Sequence, residues 1–347
     1  MLGIKVAKKS AEAVKAYLKA HKLLDKQHYV FSRGAFIYFP ILDKGKVPDG
    51  RLSLLGGKAV DAKFKRSGEA YGYKELLLKR VGREAFENAV KSFDLIGSTA
   101  IIDAPPNIAK VIAKSIMDSN PRIVRVISKS GAVSGVYRTR KFRHVAGESG
   151  YEVTYSENNI RISLDIRKAF FSPRLAYERK RVSDCANDGE KVIVMFAGVG
   201  PFAVLIGKEH RKSEVVAMEL NRHAYNYMKK NISLNKLSNV TPLLGNVNEF
   251  ASKYKGFAGR IIMPLPKDSK DFLPAADKMA SNGCVIHFYA FGAKDDPYKE
   301  PSESITEFFT KRGKKVRFLH KRIVRTYSPE TVEVVIDFSV SKKRQSG

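Results

Sequence analysis

Residues Lys191 to Phe196, KVIVMF, form a short apolar run rich in β-branched side chains that ends in Ala197-Gly198-Val199-Gly200-Pro201. Glycines at the end of a strand let the main chain approach a ligand closely. A helix opening at Pro201 turns the positive end of its dipole toward the same place. Nineteen residues past Gly200, the run EVVAMEL delivers Glu219 at the carboxyl end of a second strand. A carboxylate there can accept hydrogen bonds from both hydroxyls of a ribose. A third strand, VTPLL, delivers Gly245-Asn246, positioned to reach an adenine. These types and spacings describe a site for an adenine nucleoside. Two cofactor classes use such a site. The dinucleotide fingerprint is G-x-G-x-x-G, and Ala203 stands at its third position as an accepted variant, so spacing alone does not separate a nicotinamide cofactor from S-adenosyl-L-methionine. The glycine loop lies in the C-terminal half, behind a segment suited to substrate binding, which favours the methyl donor.

The elements that must position this loop alternate from Ser172 onward. Ser172-Pro173 is a helix start, a cap followed by proline at the first helical position. Strand KVIVMF, helix PFAVLIGKEH, strand EVVAMEL and helix NRHAYNYMKKNISLNKL follow, and then strands VTPLL, RIIMPL and CVIHFYAF. Such alternation predicts a doubly wound sheet of parallel strands. The last two runs, VRFLHKRIV and TVEVVIDFSV, are too close together for a crossover helix and should pair antiparallel at the sheet edge, as in methyltransferases. The expected fold is therefore α/β: a C-terminal class I (Rossmann-like) methyltransferase sheet with an antiparallel edge, preceded by two smaller α+β domains.

Residues 1–62 read as the first of these. Ser10 can cap a helix carrying Val14, Tyr17, Leu18 and His21 on one face, and the strand-like runs YVFSR and AFIYFPIL separate near Gly34. The polar stretch 63–73 reads as a linker. Residues 74–170 hold a strand-like run from Leu95 to Ile102, a helix opened by Pro105 and Pro106, and further strands RIVRVI, VSGVYRTRKF, YEVTYS and NIRISLDI. Asn158-Asn159 suits a tight hairpin turn. Residues 171–347 form the catalytic domain.

Lys and Arg number 63 against 35 Asp and Glu, a formal net charge of +28. Repulsion on that scale is best tolerated beside a polyanion, and phosphate backbones are the commonest one. A basic surface without a partner is the plainer alternative. No apolar run is long enough to span a bilayer, and MLGIKVAKKS lacks the apolar core of a signal peptide. Cys185 and Cys284 belong to no CxxC pair, and the seven histidines show no metal-ligand spacing. The expectation is a cytoplasmic, monomeric, metal-free protein with no membrane partner.

The chain resembles the archaeal and eukaryotic class I tRNA (guanine-N1)-methyltransferase family, which modifies position 37. The likeness runs through Gly135-Val136-Tyr137-Arg138-Thr139-Arg140, Phe171-Ser172-Pro173-Arg174, Tyr177-Glu178-Arg179, FAGVGPF, MPLPK and Arg325-Thr326-Tyr327-Ser328-Pro329. It implies an N-terminal domain that checks the tRNA body, a middle domain and a catalytic methyltransferase domain. It also implies roles. Glu178 would be the general base and Arg138 the stabiliser of charge on guanine O6. S-adenosyl-L-methionine would be held by Phe196, Ala197, Gly198, Val199, Gly200, Arg179, Glu219, Leu220, Asn246, Val247 and Pro264, with Arg179 near the methionine carboxylate. Arg140, Arg174, Tyr177, Lys267, Arg325 and Tyr327 would contact tRNA at the anticodon stem-loop and body. Read without the resemblance, Glu178 is a partner of Arg174 four residues earlier, and Arg138 is a phosphate contact. His287, in an apolar run, reads as a satisfied core histidine.

The chemistry implied is demanding at one atom. Guanine N1 carries a proton, so a base must take it while a donor stabilises the charge that gathers on O6. The methyl group must also lie in line with N1. Two positions depart from the family pattern: Pro264, where many members have Asn, and Asn246, where many have Asp. Proline offers neither a backbone donor nor an amide. Pro264 therefore keeps open C-methylation of a tricyclic wyosine-type guanosine derivative at the same position. A non-catalytic RNA-binding protein is opposed by the intact glycine loop, Glu219 and Glu178, and a nicotinamide dehydrogenase by the +28 charge.

Overall fold

The structure is a computed structural model and describes residues 1–25, 27–42, 49–64, 72–89, 92–131, 135 and 139–342. It divides into two compact units, residues 1–80 and 81–347. The first contains β1 (Leu2–Ala7), α1 (Ala11–Ala20), β2 (Phe31–Arg33), β3 (Phe36–Pro40), α2 (Asp49–Leu54) and β4 (Lys58–Asp61), and α3 (Tyr73–Glu87) runs across the division. The strand order is β2-β3-β1-β4. The opening residues therefore form an interior strand. Its Ile4 and Val6 pack with Val14 and Leu18 of α1. Tyr17 is only partly buried, and His21 lies just past the helix, stacked on Tyr17 at 4.1 Å. Ser10 occupies the N-cap position without a side-chain capping bond, because a 3-10 turn leads into α1.

The second unit begins with β5 (Asp94–Ile96), β6 (Thr99–Ile102), α4 (Pro106–Ser119), β7 (Arg125–Lys129) and β8 (Phe142–Gly147). These strands form a mixed sheet in the order β5-β6-β7-β8. The single run expected over Leu95–Ile102 is in fact two antiparallel strands, turned at Gly97-Ser98. Half of VSGVYRTRKF falls outside the described residues, Arg138 among them. A hairpin of β9 (Glu152–Glu157) and β10 (Ile160–Asp165) follows, and Asn158 and Asn159 take the positive φ angles, 43° and 61°, that a type I′ turn requires. One basic residue of these strands is structural. Buried Arg125 donates to the carbonyls of Glu148, Ser149 and Glu152 and lies 3.4 Å from the Thr99 hydroxyl.

The remaining elements are α5 (Ala176–Asp184), β11 (Lys191–Val194), α6 (Pro201–Glu209), β12 (Glu214–Glu219), α7 (Arg222–Leu234), β13 (Val240–Leu244), α8 (Val247–Phe250), β14 (Ala258–Met263), α9 (Leu273–Met279), β15 (Ala280–Ala293), α10 (Lys299–Thr310), β16 (Lys314–Thr326) and β17 (Thr331–Lys342). Seven strands run in the order β13-β12-β11-β14-β15-β17-β16. The first five are parallel, and β17 lies antiparallel between β15 and β16. The expected edge pair is thus present. The chain order reverses beside β11, and a crevice at such a switch point is where α/β sheets bind ligands. One buried cluster takes Ile101, Ile127 and Ile162 together with Val182, Val192 and Leu205. The strands before residue 170 and the catalytic sheet therefore share a core.

Candidate active site

After β11 the chain enters the glycine loop through Phe196, whose φ of 52° places a bulky residue in the left-handed region. Strain of this kind is held in place by surrounding structure and clusters at functional sites. The Phe196 ring is fixed edge-on against Phe272 at 4.7 Å. Gly198 (φ 58°) and Gly200 (φ 83°) follow. A Cβ on Gly200 would meet Met228 Cγ at 2.8 Å, so the glycine permits close helix packing. A Cβ on Gly198 would meet only the Phe170 carbonyl at 3.9 Å, so the space above it is open. Glu219, at the end of β12, ties this loop down: one carboxylate oxygen accepts from Gly198 N at 2.6 Å and the other from Asn221 N at 2.7 Å. Burial raises its pKa, and those amides work the other way. The Leu220 amide also faces the carboxylate, which keeps lone-pair capacity for a further donor. Asn221 then caps α7 through His223 N.

Other expected cofactor residues divide by geometry. Leu220 is exposed, and Pro264 is half-buried just past β14. Val199, Val247 and Ala197 have buried side chains, so only their main chain is available to a ligand. Asn246 forms a capping box with Glu249 on α8, its side-chain oxygen accepting from Asn248 N. That oxygen is already engaged, which leaves the amide hydrogens as the free donors. Arg179 differs most from expectation. It is buried, grips both oxygens of Glu157 at 2.5 and 2.6 Å, and donates to the Ser172 carbonyl. It therefore anchors the Phe171-Ser172-Pro173 segment to the β9–β10 hairpin and is not poised over the crevice to meet a carboxylate. The Ser172 side chain makes no capping bond, and a 3-10 turn precedes α5.

Glu178, in the first turn of α5, is buried. Arg174 does not pair with it but with Asp94 at 2.7 Å. The partners of Glu178 come from elsewhere. Arg181 donates to Oε1 through Nη2 at 2.7 Å and to Oε2 through Nε at 3.0 Å. The Tyr289 hydroxyl donates to Oε1 at 2.8 Å, and Arg322 lies 3.8 Å from Oε2. Burial, then the neighbouring Glu178 charge, hold the Tyr289 hydroxyl well above the usual phenol range. Sequence reasoning missed Arg181, although it stands three residues along the same helix at a pairing distance, and Tyr289, which only the fold brings against α5 from β15. His287 is a satisfied core residue, as expected, bonded to Asp337 and Arg260.

The residues expected at RNA partly converge. A cavity of about 330 Å³ is lined by Lys129, Arg140, Arg174, Arg325 and Tyr327 together with Phe170 and Phe171. The Phe170 carbonyl places this cavity beside Gly198. Arg325 is held by buried Glu333 at 2.6 Å, and Tyr327 packs on Phe291 at 4.4 Å. Exposed Tyr177 carries the Arg322 guanidinium over its ring at 4.5 Å. Lys267 is exposed on a separate, smaller cavity. Among the described residues there is no group of His, Cys, Asp and Glu that could hold a metal, and no helix is long and apolar enough to cross a membrane.

Strand order, glycine loop and Glu219 together define a class I S-adenosyl-L-methionine-dependent methyltransferase. The TRM5/TYW2 methyltransferase domain matches residues 153–318, the tRNA methyltransferase 5 N-terminal domain residues 3–47, and the TYW2 N-terminal domain residues 73–150. The chain is 39% identical to the tRNA (guanine(37)-N(1))-methyltransferase Trm5b of Pyrococcus abyssi, over 98% of this chain and 99% of that protein. It is 31% identical to the tRNA 4-demethylwyosine(37)-methyltransferase Taw21 of Saccharolobus solfataricus, over 76% of this chain and 99% of the relative. The solved complex of aTrm5 with tRNALeu superimposes with a TM-score of 0.69 at 30% identity, covering 98% of this chain and 99% of that one. The chain belongs to the archaeal and eukaryotic class I tRNA (guanine(37)-N1)-methyltransferase family.

Proposed function

We propose that this protein transfers a methyl group from S-adenosyl-L-methionine to N1 of guanosine 37 of tRNA. The observation that carries the reading is that a family member alike over 98% of its chain keeps both an open glycine loop tied to Glu219 and a buried, hydrogen-bonded carboxylate at Glu178. The cofactor supplies a methyl on a positively charged sulfur, which becomes a neutral thioether when the methyl leaves. The open space over Gly198 and the lone-pair capacity left on Glu219 fit its ribose, and Leu220 gives the adenine an apolar neighbour. Glu178 takes the N1 proton, Arg138 stabilises the charge on O6, and the freed N1 lone pair forms the new bond to carbon. Arg140, Arg174, Arg325 and Tyr327, around one cavity, hold the anticodon stem-loop. The module at residues 1–62 recognises the tRNA body, and the protein acts as a cytoplasmic monomer.

The test uses labelled cofactor and tRNA transcripts. Label should enter a transcript with guanosine at position 37 and be lost when adenosine replaces it. Equal labelling of both would overturn the reading. Pro264 supports a second substrate, the tricyclic derivative at the same position, since an Asn there would be a base-orienting donor that proline lacks.

Glu219→Ala should weaken cofactor binding by roughly 1–3 kcal/mol, because two ribose hydroxyls lose their acceptor. Calorimetry decides, and an unchanged dissociation constant rules out this placement. Binding to tRNA should weaken steeply with salt, as many phosphates are neutralised together. Arg325→Ala should lower affinity and flatten the plot of log affinity against log salt by about one unit. Equal slopes for variant and parent would mean that Arg325 serves only to neutralise buried Glu333.

A further inference from the structure

A chain of polar groups runs through the core behind Glu178. Glu190 accepts from Arg260 Nε at 2.9 Å, and Arg260 Nη1 lies 2.7 Å from His287 Nε2. An arginine can only donate, so Nε2 is the acceptor and the proton of a neutral imidazole sits on Nδ1. Nδ1 donates to Asp337 Oδ1 at 2.7 Å. Arg181 then bridges Asp337, at 2.6 Å to Oδ2, and Glu178. Arg260, His287, Asp337 and Glu178 are all buried. Buried ion pairs often add no net stability over a well-packed apolar core, so stability alone is a weak reason for this arrangement. Its end point is the carboxylate assigned as the base.

We propose that Asp337, on the antiparallel strand β17, is a positioning residue for methyl transfer, sharing the Arg181 guanidinium with Glu178 so that this carboxylate is fixed yet still able to accept a proton. The proposal rests on Glu178 being the base. Oε1 is occupied by Arg181 Nη2 and the Tyr289 hydroxyl, whereas among the described residues Oε2 has only Arg181 Nε within hydrogen-bonding distance. Oε2 is therefore the oxygen with a lone pair left for the N1 proton. The charged and titratable groups around Glu178 are Arg181 on its own helix, Tyr289 from β15, Arg322 from β16 and, through Arg181, Asp337 from β17. Two carboxylates face two guanidinium groups, Arg181 and Arg322, so the charges balance; without Asp337, Glu178 would face both cations alone and would accept a proton less readily. Asp337 stays ionised: burial opposes its charge, but the hydrogen bond from His287 and the hydrogen bonds and charge of Arg181 outweigh burial and lower its pKa.

The experiment is the pH dependence of single-turnover methyl transfer by the full-length chain, at saturating tRNA and S-adenosyl-L-methionine. The parent rate should rise with pH to a plateau as Glu178 loses its proton. In Asp337→Asn the guanidinium acts on Glu178 alone and makes it a weaker base. The midpoint should fall by about one pH unit and the plateau by about tenfold, with both dissociation constants within about twofold of the parent. Asp337→Glu restores the charge and should bring the midpoint back. A merely structural role would lower the melting temperature or the affinities and leave the midpoint in place, which overturns the proposal, as would an Asn-like shift in Asp337→Glu. If Asp337→Asn does not fold, the pair Arg181→Gln with Asp337→Asn is measured instead. With both charges gone, its midpoint should equal or exceed that of the parent, and a lower one overturns the proposal. Glu178→Gln in the same assay separates the two assignments. Loss of the acid limb supports Glu178 as the base, and persistence of the limb means that the base assignment itself has failed.

Discussion

Glu178→Gln should slow the chemical step by about 10²–10⁴, the usual worth of a positioned base, while cofactor affinity barely changes. Glutamine keeps the length and one accepting oxygen, so Arg181 and Tyr289 retain a partner. What it loses is the ability to take a proton from N1. The amide nitrogen would also face the Arg181 guanidinium, donor against donor, and a fall in melting temperature is expected alongside the kinetic effect. The two effects separate under single-turnover conditions well below the melting temperature, with tRNA and cofactor saturating. A normal rate there would leave Glu178 as no more than a structural partner of Arg181.

Arg138→Ala should cost a comparable factor, about 10²–10³, because a charged donor to the developing oxyanion is removed. Lysine at this position should recover only part of the rate, since it supplies the charge without the planar fork. The competing role is a phosphate contact, consistent with the neighbouring Arg140 and Lys141. That role predicts a loss of tRNA affinity that saturating tRNA repairs. A chemical rate that returns to normal at saturation would remove Arg138 from the reaction and place it among the RNA-binding residues.

What could be read from the sequence follows from the range of each interaction. The glycine loop, Glu219 and the Asn158-Asn159 turn were legible because each depends on main-chain conformation over a few residues, or on the strand period that brings a side chain to a strand end. The alternation after Ser172 predicted the parallel sheet, and the short gap between the last two runs predicted their antiparallel pairing. Only the i,i+3 partner Arg181 was within reach of local spacing in the environment of Glu178. Its hydroxyl donor Tyr289 is 111 residues away, and Arg181 reaches Asp337 across 156 residues. A local pairing rule instead suggested Arg174, which the fold turns toward Asp94. Arg179 and Arg125 show the same limit in another form. The resemblance put Arg179 near the methionine carboxylate, and nothing in the sequence singled out Arg125; both are buried among carboxylate or carbonyl acceptors. The first strand escaped notice because β1 is short and its lysine interrupts the apolar pattern, although Ile4 and Val6 are core residues.

The claim that this protein modifies N1 of guanosine 37 is tested most directly by mass spectrometry of nucleosides. A tRNA transcript with guanosine at position 37 is incubated with the full-length chain and isotopically labelled S-adenosyl-L-methionine, then digested completely. The account predicts a single labelled nucleoside, 1-methylguanosine, that disappears when position 37 is adenosine. Label in a different methylated nucleoside, or in 1-methylguanosine that persists without guanosine 37, would contradict it.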